Sequence, residues 1–235
     1  MYAVEPASAS AFLCDNEPVS LRFRSARAED AKACAPLIFA SGVREFSFFL
    51  GEPADTCVAF LAFAFASKSG RFSHRRHRVA VHSDDRPLAV LALHDGRGTW
   101  LDDPHAALML LRFFGVRRTL RMLLRGLVLE SELPAPKSSQ TLIAHCATFE
   151  PMRGTGVFSA LFADAMRTEA TAAQGRGAAS SESRRQIVLD VLVSNTRAYD
   201  LYRRLGFVEL PRRAPVSQRL PRELESVRLE WAGKD

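Results

Sequence analysis

In the stretch "FEPMRGTGVFSALF" (149–162), an arginine and two glycines stand directly before a run with helical apolar spacing. Glycine is a poor helix former, yet Gly154 and Gly156 sit where a helix should begin. The preceding "TLIAHCATF" (141–149) has the composition of a strand, so the local order is strand, glycine-rich turn, helix N-terminus. Backbone N–H groups at such a turn lack a partner inside the helix, and the helix dipole favours negative charge there. Glycine removes the Cβ that would keep an anion away, and Arg153 adds a bidentate cation. The chemistry that suits this pattern is the holding of a phosphate or pyrophosphate.

Two common phosphate patterns do not fit. A P-loop needs a lysine after its glycines, and none follows Gly156. The dinucleotide fingerprint G-x-G-x-x-G needs a third glycine and an acid about 20 residues on, at a second strand end. Ser159 stands at the third glycine position, and the stretch lies late in the chain.

The surrounding elements can be read from periodicity and turn residues. "VSLRFRSARAEDAKACAPLIFASG" (19–42) reads as strand, turn and helix, with Ser25 or Asp30 as cap and a stripe of Ala31, Cys34, Ala35 and Ile38. "CVAFLAFAFA" (57–66) is ten residues long, half of what a membrane span needs, and is expected as a buried helix. "HRVAVHSDDRPLAVLALHD" (77–95) reads as a hairpin turning at Ser83–Pro87. A helix is expected from about Gly156 to Ala172, then a Gly, Ser and Arg-rich loop over 171–186. "IVLDVLV" (187–193) is apolar except for Asp190 and is expected as a central strand. "NTRAYDLYRRLGF" (195–207) reads as a short helix closed by Gly206, and "ESVRLEWA" (225–232) as a last strand.

Arg153-x-x-Gly156 resembles the R/Q-x-x-G-x-G/A signature of the GNAT superfamily of N-acetyltransferases. A second motif follows in the family's order. Asn195, Ala198, Leu201, Tyr202, Gly206 and Phe207 match its N-x-x-A-x-x-L-Y-x-x-x-G-F pattern. The resemblance covers about residues 19–210. It departs at Phe158, where Gly or Ala is usual, at Thr155, where a basic residue is common, and at Glu150–Pro151, which reverses the common order. It implies an α/β fold, a strongly bent mixed sheet flanked by helices, with acetyl-CoA wedged between splayed parallel strands 141–149 and 187–193. Residues 19–235 would form one such domain, with 1–18 as an N-terminal extension and a helical insertion at about 104–132. Arg153, Gly154, Thr155, Gly156, Val157 and Phe158 would hold the pyrophosphate. The backbone of Cys146, Ala147 and Thr148 would bind the pantetheine arm, and Asn195 would be a cofactor contact or a plain helix cap.

The reaction so implied is acetyl transfer from acetyl-CoA to a primary amine of a small molecule or peptide. An amine attacking a thioester must lose a proton, the oxyanion needs a donor, and the leaving thiolate needs a proton. The resemblance gives Tyr202 the role of acid. Some family members carry a glutamate or histidine base on the strand before the turn, which makes His145 and Glu150 the candidates. A non-catalytic acyl-CoA-binding regulatory module of the same fold is the alternative.

Composition constrains the rest. Net charge is +6, but the segment 104–129 alone carries +5 from Arg112, Arg117, Arg118, Arg121 and Arg125, with no acid. The excess is local, so nucleic acid is not an expected partner. Cys14, Cys34, Cys57 and Cys146 are scattered without a C-x-x-C pair. Neither a zinc site nor a disulfide framework is indicated, and a reducing, cytoplasmic setting is expected. The N-terminus has no basic stretch and Glu5 precedes any apolar run, so no signal peptide is read. His74 and His77 lie among Arg71, Arg75, Arg76 and Arg78, which would repel a metal, and are read as part of a solvated loop.

In "PHAALMLLRFFGVRRTLRMLLRGLVLE" (104–130), Arg117, Arg121 and Arg125 recur every fourth residue, opposite Val116, Leu120, Leu123, Leu124 and Leu127. Such a helix suits a membrane surface, a homodimer face or a wall over the acceptor site. The expected arrangement is a leucine face packed inward on the sheet and a solvated arginine face. No neighbouring segment supplies a second membrane anchor, so membrane attachment is not expected.

Overall fold

The computed structural model describes residues 21–97, 102–175, 185–211 and 219–233. The N-terminal extension 1–18 and most of the loop read over 171–186 lie outside the described residues. Seven strands form one sheet: β1 (Arg22–Ser25), β2 (His77–Val81), β3 (Pro87–Asp95), β4 (Gln140–Thr148), β5 (Gln186–Leu192), β6 (Phe207–Glu209) and β7 (Ser226–Trp231). Their order across the sheet is β1-β2-β3-β4-β5-β7-β6. Every neighbouring pair is antiparallel except β4 and β5, which run parallel at the centre. The α/β fold with a mixed sheet is therefore as expected.

Helices cover both faces. Along β2 and β3 successive side chains alternate between two cores, as a pleated strand requires. Val79, Val81 and Val90 join α1 (Ala31–Ser41), α2 (Val43–Leu50) and α3 (Ala54–Phe65) on one side. Ala80, Ala89 and Leu91 join α6 (Val157–Gly175) and α7 (Thr196–Arg204) on the other. The apolar run at 57–66 is the buried face of α3, with Cys57, Phe60, Leu61, Ala64 and Phe65 in the core.

The insertion between β3 and β4 is two helices, α4 (Asp102–Phe114) and α5 (Val116–Glu130), broken at Gly115. Here the expected packing is reversed. Thr119 and Met122 are buried, while Val116, Leu120, Leu123, Leu124 and Leu127 are 39% to 71% exposed. The cause is visible at α2. The Arg125 guanidinium donates to the carbonyls of Phe49 (3.0 Å) and Leu50 (2.6 Å), satisfying C-terminal acceptors of α2 that have no partner inside their own helix. Gly126 lies so close to Phe49 that a Cβ there would stand 3.1 Å from its ring. An arginine thus fixes the inner side of α5 and the leucines are left outward.

Asp190, the one charged residue in β5, faces Arg228 directly across the ladder to β7. Arg228 grips both carboxylate oxygens at 2.8 and 2.7 Å and also donates to the Pro134 carbonyl at 2.6 Å. Both side chains are largely buried, and burial raises the Asp190 pKa even with Arg228 present. Removing one partner of such a pair leaves an uncompensated buried charge. Arg228→Met should therefore cost about 3–5 kcal/mol, and adding Asp190→Leu should recover most of it. Urea unfolding of the two variants and wild type checks this; equal loss in the single and double variants would show that the pair is not coupled.

Candidate active site

The parallel ladder between β4 and β5 pairs Gln140–Ile143 with Gln186–Leu189 and stops there. β4 runs on to Thr148 and β5 to Leu192, so beyond Ile143 the two central strands part. The break coincides with a bulge in β4. Ala144 pairs with Ala92 and Ala147 with Val90, leaving His145 and Cys146 opposite Leu91 alone. His145 takes a left-handed backbone, φ 54°, a conformation in which histidine is enriched among non-glycine residues. The bulge turns the two side chains to opposite faces: His145 packs on Phe46 and Phe72, and Cys146 against the α6–α7 core.

Past β4 the chain makes a single 3₁₀ turn at Glu150–Met152, and α6 begins at Val157. Gly154 and Gly156 have φ of 84° and 87°, a region that costs a residue with a Cβ. A Cβ at either would meet nothing within 4 Å, so the glycines are demanded by the backbone and the space before the turn is open. The Ala160 N–H donates to the Gly156 carbonyl at 3.0 Å. The N–H groups of Val157, Phe158 and Ser159 therefore lie in the helix's first turn, where no intrahelical acceptor precedes them. The side chains of Val157 and Phe158 point into the core, where Phe158 meets Tyr202 edge-on at 6.3 Å. Its bulk does not crowd the turn. Arg153 is 43% exposed and donates to the Thr148 carbonyl at 3.3 Å. Thr155 donates its hydroxyl to the Met152 carbonyl at 2.8 Å.

Tyr202 comes from α7, directly after β5, and is buried. Its hydroxyl lies beside the Cys146 thiol on β4, near enough for each to shift the other's pKa. The thiol donates to the Ala144 carbonyl at 3.7 Å. Burial, then the neighbouring Cys146, hold the Tyr202 pKa well above its usual value, and burial pushes the Cys146 thiol up to about 12. The phenol is a protonated donor, and the thiol is no thiolate nucleophile.

His77 and His94, outside the expected site, surround His145. His77 lies in β2 and is buried, contrary to the solvated-loop expectation; His74 beside it turns its ring to the Phe65 carbonyl at 3.2 Å. Hydrogen bonding fixes the tautomers. The Ser73 carbonyl can only accept, so His77 donates from Nδ1 at 2.8 Å. Neutral His77 then has a bare Nε2, which accepts from Nδ1–H of His145 at 3.0 Å. Neutral His145 is left with its lone pair on Nε2. Burial is the first cause of all three depressed histidine pKa values, bringing His77 to about 4 and the others well below the usual range. The signal available in the sequence was strand alternation, which carries His77 and His94 inward.

The remaining expected residues are placed as follows. Asn195 caps α7, accepting from the Ala198 N–H at 3.2 Å, which is its plain structural role. Glu150 is 84% exposed and pairs with Arg153 at 3.7 Å. The structure sets it beside the glycine turn. Cys146, Ala147 and Thr148 form the part of β4 beyond the end of the parallel ladder. Among the described residues no cluster of three or more potential ligands could hold a metal.

The histidines make stability fall in mild acid. Unfolded, each takes up a proton near pH 6.5; folded, His77 resists until about 4, and His94 and His145 stay neutral well below 6.5. Their contribution is complete above pH 6.5 and is lost as pH falls toward the folded values. Glu45 and Asp190, both raised by burial, take up their protons in the folded state before the unfolded one as pH falls, and so offset part of this trend. Between pH 6.5 and 5 each histidine should add a slope of up to about 1.4 kcal/mol per pH unit. Urea midpoints over that range should drop, and His77→Gln should flatten the drop; midpoints flat in wild type would contradict the shielding.

No known family profile matches the sequence, and neither does any curated protein. Solved structures do match. An N-acetyltransferase from Staphylococcus aureus Mu50 superposes with a TM-score of 0.62 at 15% identity, over 89% of this chain and 99% of that one. A structure described simply as an acetyltransferase gives 0.60 at 16% identity, over 91% and 100%. A histone acetyltransferase HPA2 and related acetyltransferase from Corynebacterium glutamicum gives 0.53 at 19% identity, over 92% and 98%. The chain has the fold of these acetyltransferases, which is the fold that the resemblance to the GNAT superfamily implies.

Proposed function

We propose that the chain is a GNAT-superfamily N-acetyltransferase that moves the acetyl group of acetyl-CoA to a primary amine by direct attack. One observation carries the proposal. Where β4 leaves β5, the same short stretch of structure joins an opened ladder, a glycine turn with open space before a helix N-terminus, and a buried phenol beside a sulfur. The turn suits a pyrophosphate: N–H groups of Val157, Phe158 and Ser159 with Arg153 at the rim. Backbone groups of Cys146–Thr148, freed from the parallel ladder, suit the amide-bearing pantetheine arm. Acetyl-CoA supplies the activated acyl group and a thiol leaving group.

The chain's own residues would handle the protons. Tyr202 lies beside a thiol, and burial, which raises its pKa, keeps it protonated for a departing thiolate. His145 offers a bare Nε2 as base, and burial, then its neighbours His77 and His94, lower its pKa and keep it neutral at pH 7. Exposed Glu150, tied to Arg153, is the weaker candidate for that role. The raised pKa of Cys146 argues against a covalent acyl-cysteine step and so for direct attack. A small-molecule or peptide amine is the acceptor class, and a cytoplasmic setting accords with the free Cys34, Cys57 and Cys146.

Calorimetry with CoA tests the turn. Gly156→Val forces a β-branched side chain onto φ 87° and into the open space, and should weaken CoA binding severely. Arg153→Ala should cost about 1.5–3 kcal/mol, the range for a charge-assisted hydrogen bond. Unchanged affinity in both variants would remove the pyrophosphate assignment.

Turnover with a competent amine tests the chemistry. Tyr202→Phe keeps the ring in its core position and removes only the hydroxyl. Turnover should fall toward the lower end of the ~10²–10⁴-fold typical of acid catalysis, because a thiol is a fair leaving group, while CoA affinity stays close to wild type. If affinity falls in step with turnover, Tyr202 is a packing residue. If wild type binds CoA tightly and turns over no amine in a broad panel, the binding-module alternative replaces the enzyme.

A further inference from the structure

The outward side of α5 carries two adjoining features. At about 100° per residue, Val116, Leu120, Leu123, Leu124 and Leu127 share an arc of about 100°, and all five are exposed. The stripe is about 17 Å long at 1.5 Å per residue. Leu111 and Phe113, within five residues of Val116 at the end of α4, are exposed as well. Next around the helix come Arg117 and Arg121, which have no ion-pair partner among the described residues. Beyond them is an open pocket of about 270 Å³, lined by Gly51, Glu52, Arg118, Arg121, Met122 and Arg125. Its one acid, Glu52, is engaged by Arg118 at 3.6 Å. No acid occurs from Pro104 to Leu129.

We infer that this side of α5 docks on the surface of an anionic phospholipid membrane. A helix that lies in the plane of a bilayer needs an apolar face for the acyl boundary and flanking cations for the headgroups. Here the stripe supplies the first, and Arg117 and Arg121 the second. Charge also selects against a second copy as the occupant, since pairing two such faces would bring unpaired arginines together. The expectation of no membrane attachment rested on an inward leucine face and on the lack of a second anchor; the leucines are outward. The attachment is peripheral: among the described residues no single helix is long and apolar enough to cross a membrane.

The test is sedimentation of the full chain with vesicles of phosphatidylcholine alone or of phosphatidylcholine with phosphatidylglycerol, at physiological salt. The protein should pellet with the anionic vesicles and stay in solution with the neutral ones. Arg117→Gln with Arg121→Gln should weaken partitioning about fivefold for each arginine removed. Leu120→Ser with Leu124→Ser should weaken it about tenfold or more for each leucine. Because all four side chains are exposed, melting temperature and circular dichroism of both variants should match wild type, which separates lost docking from lost folding. Failure to pellet with anionic vesicles overturns the inference, as does pelleting that neither double variant reduces. A lipid-free dimer in sedimentation velocity that Leu120→Ser with Leu124→Ser dissolves would assign the face to a second copy and overturn it too.

Discussion

The parting of two parallel strands is the constraint from which the rest of the candidate site follows. A strand inside a sheet normally spends its N–H and C=O groups on both neighbours, and buried backbone groups left unpaired are costly. β4 keeps its antiparallel partner β3 for its whole length but gives up β5 after Ile143. The bulge at His145 and Cys146 makes this possible. It shifts the β3 register by one residue and bends the strand without breaking the ladder on that side. The opening is thus built from one continuous antiparallel edge and one interrupted parallel edge. Its walls are held from outside, by β3 on one side and by the β5–β7 ladder with its Asp190–Arg228 pair on the other.

Each proton-bearing group near the opening has its state set by burial, and the states are complementary. Desolvation raises the phenol of Tyr202 and the thiol of Cys146 and keeps both protonated. The same effect depresses His145, His77 and His94 and keeps them neutral. Burial penalises any charge, so a site with a neutral acid on one face of a strand and a neutral base on the other needs no nearby counter-ion. The bulge supplies the geometry, because consecutive residues in it leave on opposite faces. The tautomer of His145 is set two hydrogen bonds away, by a carbonyl at Ser73 that cannot donate. A change at Ser73 or His77 would act on the site only through that chain.

Much of this was legible in the sequence, for reasons that can be named. Two motifs separated by a strand carried the glycine turn and Tyr202, and both lie at elements whose boundaries turn residues mark. Apolar continuity identified β5 as central, and Asp190 within it found its reason in Arg228. What escaped depended on tertiary partners. His77 was misread because its neighbours in sequence are arginines, whereas its neighbours in space are Phe65, Ser73 and His145. Phe158 departs from the signature in side-chain size, yet the signature position needs only its backbone, since the side chain turns inward. The short α2 and the three-residue β6 are too brief for periodicity to declare.

The orientation of α5 shows where periodicity ends. An amphipathic pattern says that a helix has two unlike sides; it does not say which side meets the protein. The common rule, apolar inward, assumes that burying leucine stabilises the fold more than any other contact the helix could make. At α5 the competing requirement is backbone satisfaction. α2 ends against it with carbonyls to be met, Arg125 can meet two of them, and Gly126 permits the close approach to Phe49 that this requires. Once Arg125 faces α2, Thr119 and Met122 must follow it inward, and the leucine stripe, on the opposite arc, must face out. The orientation that satisfies α2 therefore leaves an apolar surface that is exposed among the described residues. In a segment with arginines and no acid around that surface, the partner best matched to it is apolar within and anionic at its face.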